Sequence, residues 1–244
     1  MKVVVAGMIA ALALALPAQA AVKTVVLVHG AFADGSGWQP VAKILEHDGY
    51  KVRIVQEPET SLADDAAATK RVLDAAGPCV LVGHSYGGAV ISEAGDHTNV
   101  KALVYLAAFV PDVGESALEL VQKIPAAAKS IEPAGAGYFA INIDAFPADF
   151  AQDLPKSDAH FMAISQVPIS AASFGGKATV AAWKDKPSYY VVSKNDRVIN
   201  PDVERFMSKR AKAETIELPS SHVVMQSHPK EVAALIEKAA NAVK

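Results

Sequence analysis

The chain has 244 residues, of which 51% are hydrophobic and 20% are charged. This composition is typical of a globular protein, and the length suits one domain with an ample core. The formal net charge of −3 offers no basic surface and argues against nucleic acid as a partner. The seven histidines are scattered and Cys79 is the single cysteine, so no cluster with metal-ligand spacing indicates a metal site.

The N-terminal segment has the composition of a secretory signal. Lys2 precedes an uninterrupted apolar run over 3–16, and the small-x-small sequence Ala18-Gln19-Ala20 follows. This pattern predicts a signal peptide over 1–20 and export to the periplasm or the medium. The run is too short for a transmembrane helix, so no stable membrane anchor is expected after its removal. The alternative is a first strand over 3–5.

The mature chain, 21–244, alternates short apolar runs with helical patterns. The runs are rich in β-branched residues and predict about six buried strands, at 24–28, 52–55, 79–82, 100–107, 188–192 and 215–218. Helical spacing and capping residues predict helices from Trp38 to a stop at Asp48-Gly49, from Ser61 (N-cap, with Asp64 at N3) to Ala76, from about Ala89, from Pro201 to about Ala211, and from Pro229 to the end. The alternation predicts an α/β fold with a mostly parallel sheet and helices on both faces.

This alternation is interrupted between about 111 and 183. The segment is rich in Pro, Ala and Gly and shows no further clean strand pattern, only short helical pieces such as 116–123 and 157–164. We therefore expect an insertion that lies over the sheet as a cap.

A strand, a tight turn and a helix meet at Ser85. The apolar run from Cys79 ends in Gly83-His84-Ser85-Tyr86-Gly87, and a helical sequence follows at once. This arrangement is typical of a nucleophile elbow, in which side chains two residues before and after the serine would collide. The alternative is an ordinary glycine-rich turn. The pattern favours Ser85 as a catalytic nucleophile.

A serine nucleophile needs a base and an acid that orients the base. Reactive groups of an open α/β sheet gather beyond the carboxyl ends of its strands. Asp196 follows one predicted strand and His222 follows the last one, and the chain order Ser85, Asp196, His222 suits this architecture. We expect His222 to take the Ser85 proton, and Asp196 to fix the His222 tautomer.

Other acids and histidines have simpler explanations. Asp202, in the first turn of a predicted helix, suits the helix dipole. His228 precedes Pro229 and is expected at a helix entry. His29 and His84 lie in the two glycine-rich loops and are expected to brace them rather than to transfer protons.

An oxyanion that forms at Ser85 requires two preorganised donors. One is the backbone N–H of Tyr86. The second is expected from the loop after the first strand, where Ala31 follows His29-Gly30. Phe32 is the alternative for this N–H, and its side chain is a candidate for binding substrate.

Together these residues resemble the α/β-hydrolase superfamily over almost the whole mature chain. The sequences at 26–31 (Val-Leu-Val-His-Gly-Ala), 83–88 (Gly-His-Ser-Tyr-Gly-Gly) and 220–222 (Ser-Ser-His) are most similar to a small branch of it. That branch contains plant methylesterases, hydroxynitrile lyases and bacterial esterase-like proteins. The resemblance implies a cap after the strand at 101–107, with a pocket between this cap and Ser85.

The chemistry within this branch differs. The resemblance implies that lyases carry a threonine in the oxyanion loop and a lysine directly after the catalytic histidine, where this chain has Gly30 and Val223. The absence of a cation beside His222 favours hydrolysis of an ester without any cofactor. A carbon–carbon lyase and a non-catalytic ligand-binding protein are the alternatives.

The cap gives an indication of the substrate. It carries apolar side chains with few charges between them, most of which are expected to pack the cap onto the body and a few to face Ser85, namely Phe139, Ile141, Phe146, Phe150, Phe161, Met162 and Ile164. The expected partner is therefore a small, largely apolar carboxylic ester.

Overall fold

A computed structural model describes residues 22–243 of the chain. The predicted signal peptide over 1–20 and the alternative strand over 3–5 lie outside these residues. Within 22–243, no helix is both long enough and apolar enough to cross a membrane.

The fold is built on a sheet of six strands that all run parallel. The six strand predictions are confirmed, with ends that differ by two residues at most. In spatial order the strands are β2 (Lys51–Val55), β1 (Thr24–Val28), β3 (Cys79–His84), β4 (Val100–Leu106), β8 (Ser188–Ser193) and β9 (Glu214–Leu218). The central strands β1, β3 and β4 are apolar on both sides because helices cover both faces of the sheet.

The helices that alternate with these strands form two layers. Helices α1 (Gln39–His47) and α10 (Pro229–Ala242) pack against each other on one face, and α2 (Leu62–Ala76) and α3 (Gly87–Ala94) do so on the other. The predicted fold class, α/β with a parallel sheet and flanking helices, is confirmed. The other elements of the body are α8 (Pro201–Arg210), α9 (Val224–Ser227) and two short 3-10 helices, Gly35–Trp38 and Ala182–Lys184.

Capping interactions fix the ends of α2 as the sequence predicts. The Ser61 side chain accepts a hydrogen bond from the Asp64 N–H at 3.1 Å, which satisfies one of the free donors of the first turn. The helix ends at Gly77, whose φ of 67° lies in the left-handed region that glycine adopts without strain.

Residues 111–183, the cap segment, lie between β4 and β8. The expectation of no further strand in this segment is wrong, because it contains a separate antiparallel sheet of three short strands. The first of these strands gives no strand signal in the sequence, because it contains Pro133 and Gly135 and its residues are all exposed without apolar alternation. The elements of the segment are α4 (Ala117–Val121), β5 (Ile131–Gly135), β6 (Tyr138–Ile141), α5 (Phe146–Asp149), α6 (Lys156–Ser165), β7 (Ile169–Ser170) and α7 (Ala171–Phe174).

Candidate active site

Ser85 occupies a strained turn between β3 and α3. Its φ of 53° is in the left-handed region, which costs a residue with a Cβ about 1–2 kcal/mol. The turn is held because the Ser85 carbonyl oxygen accepts the N–H groups of Gly88 and Phe109, both at 3.0 Å. The nucleophile-elbow geometry expected from the sequence is therefore present.

The glycines of the elbow are required by close backbone contacts. A Cβ on Gly83 would lie 2.5 Å from the Gly87 carbonyl oxygen, and a Cβ on Gly87 would collide with the carbonyl oxygen of His29. Glycine is thus required two residues before and two residues after Ser85, because α3 begins close to the ends of β1 and β3.

His222 and Asp196 come together at the carboxyl ends of β8 and β9. The distance between His222 Nδ1 and Asp196 Oδ2 is 2.5 Å, and the side chains of both residues are fully buried. The other Asp196 oxygen, Oδ1, accepts the N–H groups of Val198 at 2.7 Å and Ile199 at 2.9 Å. Three donors therefore hold this carboxylate, and the Nδ1–H tautomer leaves His222 Nε2 as the basic nitrogen.

His84, which precedes Ser85 in the elbow, contacts His222. The Nε2–H of His84 donates to the His222 carbonyl oxygen at 2.9 Å, and the two imidazole centroids are 4.7 Å apart. His222 Nε2 is buried and makes no hydrogen bond within 22–243, to Ser85 Oγ or to any other group. Catalytic bonds of this kind are often long before substrate binds.

The other acid and histidines weighed from the sequence have separate positions and partners. Asp202 is exposed in the first turn of α8 and is paired with Arg205, and His228 is the N-cap residue of α10. His29 braces its loop as expected: its Nδ1–H donates to the Gly30 carbonyl oxygen at 3.0 Å, and its Nε2 accepts the Glu57 N–H at 3.1 Å.

The candidate oxyanion donors are available on both sides of Ser85. The backbone N–H groups of Tyr86, Ala31 and Phe32 donate no hydrogen bond to any other group in the described range 22–243. Phe32 has a φ of 61°, so the loop after β1 is also strained next to the nucleophile. This geometry leaves Ala31 and Phe32 both open as the second donor.

A largely apolar cavity of about 360 Å³ lies between the oxyanion loop and the cap segment. Phe32 and Phe174 form its wall nearest the elbow, and the Phe174 ring centroid is 6.4 Å from that of Tyr86. Phe32 also contributes to a narrower opening beside Met162 and Met225. The remaining lining residues of the larger cavity are Leu118, Val121, Gln122, Ile131, Phe139, Ile169 and Ala171.

The apolar cap residues have three different environments. Ile141, Phe146 and Phe150 are buried and pack the cap segment onto the body, as expected for most of the set. Phe139 lines the larger cavity and Met162 the narrower one. Phe161 and Ile164 depart from the expected packing because they are 61% and 58% exposed on α6.

The cap segment makes direct contacts with the loops that carry His222 and Asp196. The Phe150 ring packs edge-on against the His222 imidazole, with centroids 4.8 Å apart. Asp153 accepts the Ser221 N–H at 2.7 Å, and the Gln152 side chain donates to the Asn195 carbonyl oxygen at 2.7 Å. Phe150 thus covers the buried His222 imidazole, and the two hydrogen bonds hold the cap segment against the neighbouring residues of these loops.

A second buried polar cluster, which the sequence analysis missed, lies behind the oxyanion loop. It consists of His29, Glu57 and Glu59, with Asp65 beside them. Both glutamates follow β2, so the rule of strand carboxyl ends that selects Asp196 also applies to them. The set does not suit a metal ion because the hydrogen bonds of His29 occupy both of its ring nitrogens.

Burial determines the protonation of these acids. It raises the pKa of Glu57 well above its usual range and that of Glu59 to about 9, with the charge of Asp65 as a further cause. Burial also raises the pKa of Asp65, although the hydroxyl of Tyr86 donates to it at 2.7 Å. Glu57 and Glu59 are therefore protonated in the folded protein at neutral pH.

Glu59 is expected to make the folded protein less stable as the pH rises. Its pKa is about 4.5 when unfolded and about 9 when folded, so between these values only the folded state binds the proton. The free energy of unfolding then falls with a slope of up to about 1.4 kcal/mol per pH unit. Urea unfolding from pH 5 to pH 8 is expected to show a smaller slope for Glu59→Gln than for wild type. Exposed Glu46→Gln is the control, and equal slopes for Glu59→Gln and wild type would contradict the assignment.

The comparisons with known proteins agree with this architecture. A sequence model of the alpha/beta hydrolase family matches residues 25–235, and the chain therefore belongs to this family. A probable hydrolase, R7, from Phoma sp. is 29% identical over 73% of this chain and 79% of its own length. The pyrethroid hydrolase of Sphingobium wenxiniae is 27% identical over 91% and 89%. The crystal structure of a pyrethroid hydrolase from Sphingobium faniae superposes with a TM-score of 0.77 at 25% identity, over 91% of this chain and 98% of that one.

Proposed function

We propose that this α/β hydrolase is a serine esterase that cleaves a small, largely apolar carboxylic ester through an acyl-enzyme. The observation that carries the proposal is the bond of 2.5 Å between His222 and Asp196, placed beside a strained serine elbow. The names of the relatives support hydrolysis as the reaction class.

The proposed reaction has two halves. Ser85 Oγ attacks the ester carbonyl carbon while His222 Nε2 takes its proton. The N–H group of Tyr86 and that of Ala31 or Phe32 stabilise the oxyanion. His222 then protonates the leaving alcohol, and the acyl group remains on Ser85. A water molecule gives a proton to His222 and attacks the acyl-enzyme, and His222 then returns that proton to Ser85 Oγ as the acid leaves.

Two features argue against the lyase alternative. Val223, next to His222, is fully buried and uncharged, so it cannot stabilise a departing anion as a lysine would. A Cβ on Gly30 would lie 2.6 Å from the Ser85 Cβ, so a threonine at this position would displace the nucleophile. A ligand-binding role without turnover is the remaining alternative.

A panel of p-nitrophenyl esters of increasing acyl length tests the reaction and its specificity together. Wild-type protein is expected to turn over the panel with an optimum set by the apolar cavity. Ala171→Trp fills part of that cavity and is expected to lower kcat/KM for the esters with the longest acyl groups about tenfold or more. The value of kcat/KM for p-nitrophenyl acetate is expected to change little. Ala172→Trp, on the same short helix but outside the cavity lining, is the matched control.

Equal profiles for the two tryptophan variants would place the acyl group elsewhere. Folded wild-type protein that binds these esters without turnover would favour the ligand-binding alternative.

A further inference from the structure

A second carboxyl group lies behind the candidate triad. Glu204, in the first turn of α8, is fully buried, and its Oε2 accepts the Ser193 N–H at 3.0 Å. Asp196 is the acid that interacts with this carboxyl group, both by its charge and by hydrogen bonding. Ser193 links the two acids, because its carbonyl oxygen accepts the Asp196 N–H at 3.1 Å.

Two carboxylates so close together and shielded from water cannot both be ionised, so the pair holds one proton. Asp196 receives three donors: the N–H groups of Val198 and Ile199, and His222 Nδ1–H. Glu204 receives one, and its Oε1 has no donor within the described part of the chain. The charge is therefore stabilised on Asp196, and the proton belongs on Glu204.

We propose that Glu204 is a positioning residue that, as a protonated carboxylic acid, donates a hydrogen bond to Asp196 and holds that carboxylate against His222. The inference rests on the proposed function for its kinetic consequences. Glu204 is then a fourth member of the group formed by Ser85, His222 and Asp196. It acts through Asp196 and does not touch the substrate.

The other groups around Glu204 are consistent with a neutral side chain. Burial, followed by the charge of Asp196, raises the pKa of Glu204 well above its usual range. The hydroxyl of Tyr190 on β8 is directed to the backbone of Ala108, to whose carbonyl oxygen it donates at 2.6 Å. Arg205 favours the ionised form of Glu204 but is paired with Asp202 and Glu217 at the surface.

The substitution Glu204→Gln keeps a neutral donor of the same shape, whereas Glu204→Leu removes the donor. We expect kcat of the glutamine variant to stay within about threefold of wild type. The leucine variant is expected to lose about tenfold to hundredfold in kcat with KM little changed, the range for a hydrogen bond to a charged group. Its acid limb in the pH–rate profile is expected to move to higher pH, since an Asp196 without this donor stabilises imidazolium more strongly.

Infrared difference spectroscopy of wild type minus Glu204→Gln provides a readout that does not depend on turnover or on folding of the leucine variant. A protonated carboxylic acid carbonyl band at neutral pH is the expected result, and carboxylate bands in its place would overturn the proposal. A glutamine variant as impaired as a folded leucine variant, or a fully active leucine variant, would also overturn it. Absence of ester turnover in wild type would refute the proposed function and leave the infrared result to decide on Glu204.

Discussion

Ser85→Ala is expected to lower kcat for p-nitrophenyl esters by about 10⁴-fold or more, because no other group at the elbow can form the acyl-enzyme. Alanine removes only Oγ, while the backbone bonds that hold the turn remain, from Gly88 and Phe109 to the Ser85 carbonyl oxygen. The melting temperature is therefore expected to stay within a few degrees of wild type. The measurement is steady-state hydrolysis with calorimetry on the same preparations.

A covalent probe strengthens this test. A fluorophosphonate is expected to add one adduct to wild type by intact mass and none to Ser85→Ala. Ser157→Ala, an exposed serine of α6, controls for the loss of a hydroxyl elsewhere in the cap segment. Full ester turnover by folded Ser85→Ala would refute the serine mechanism, whatever the probe labels.

Asp196→Asn is expected to lower kcat by about 10⁴-fold while the fold is kept. An asparagine that still accepts the N–H groups of Val198 and Ile199 through its oxygen turns its amide NH₂ toward His222. His222 Nδ1 must then accept that hydrogen bond, which places the imidazole proton on Nε2, where it blocks removal of the Ser85 proton. The acyl-enzyme therefore forms slowly even at saturating substrate.

The matched control is Asp202→Asn, which removes an exposed carboxylate in the first turn of α8 and only weakens a surface pair with Arg205. Its kcat is expected to match wild type. Equal losses in the two variants would mean that Asp196 acts through general electrostatics or stability. The Nδ1 proton resonance of His222 provides a direct check, because it is expected to be far downfield in wild type and absent in Asp196→Asn.

The regular part of the fold is predictable because its signals are local. Each central strand is a short run rich in β-branched residues. The ends of α2 are marked by Ser61 as N-cap and Gly77 as C-cap, and both roles depend on neighbours in the sequence. The β5 strand has no such local signal, because its extended conformation depends on pairing with β6. Ile131–Gly135 contains a proline and a glycine, and its residues are all exposed, so neither apolar periodicity nor propensity marks it.

The residues of the candidate site that can be predicted are those that directly follow a strand of the parallel sheet. The carboxyl-end rule brings Asp196 and His222 to the same edge of the sheet, where the structure has them in contact. Glu204 is missed because it lies within a helix whose charged pattern resembles a solvated face, and only packing shows that it is buried. Glu57 and Glu59 are missed because two ionisable side chains in a loop are normally exposed.

The contacts between the cap segment and the triad loops have a consequence for the order of events in a turnover. Phe150, Gln152 and Asp153 touch the residues 222, 195 and 221, so the cap segment cannot lift without releasing the loops that orient the base. The same contacts thus connect the position of the cap segment to the position of the His222 imidazole. A cap segment that moved to admit a substrate would break the contacts at 195, 221 and 222, and its return would restore them.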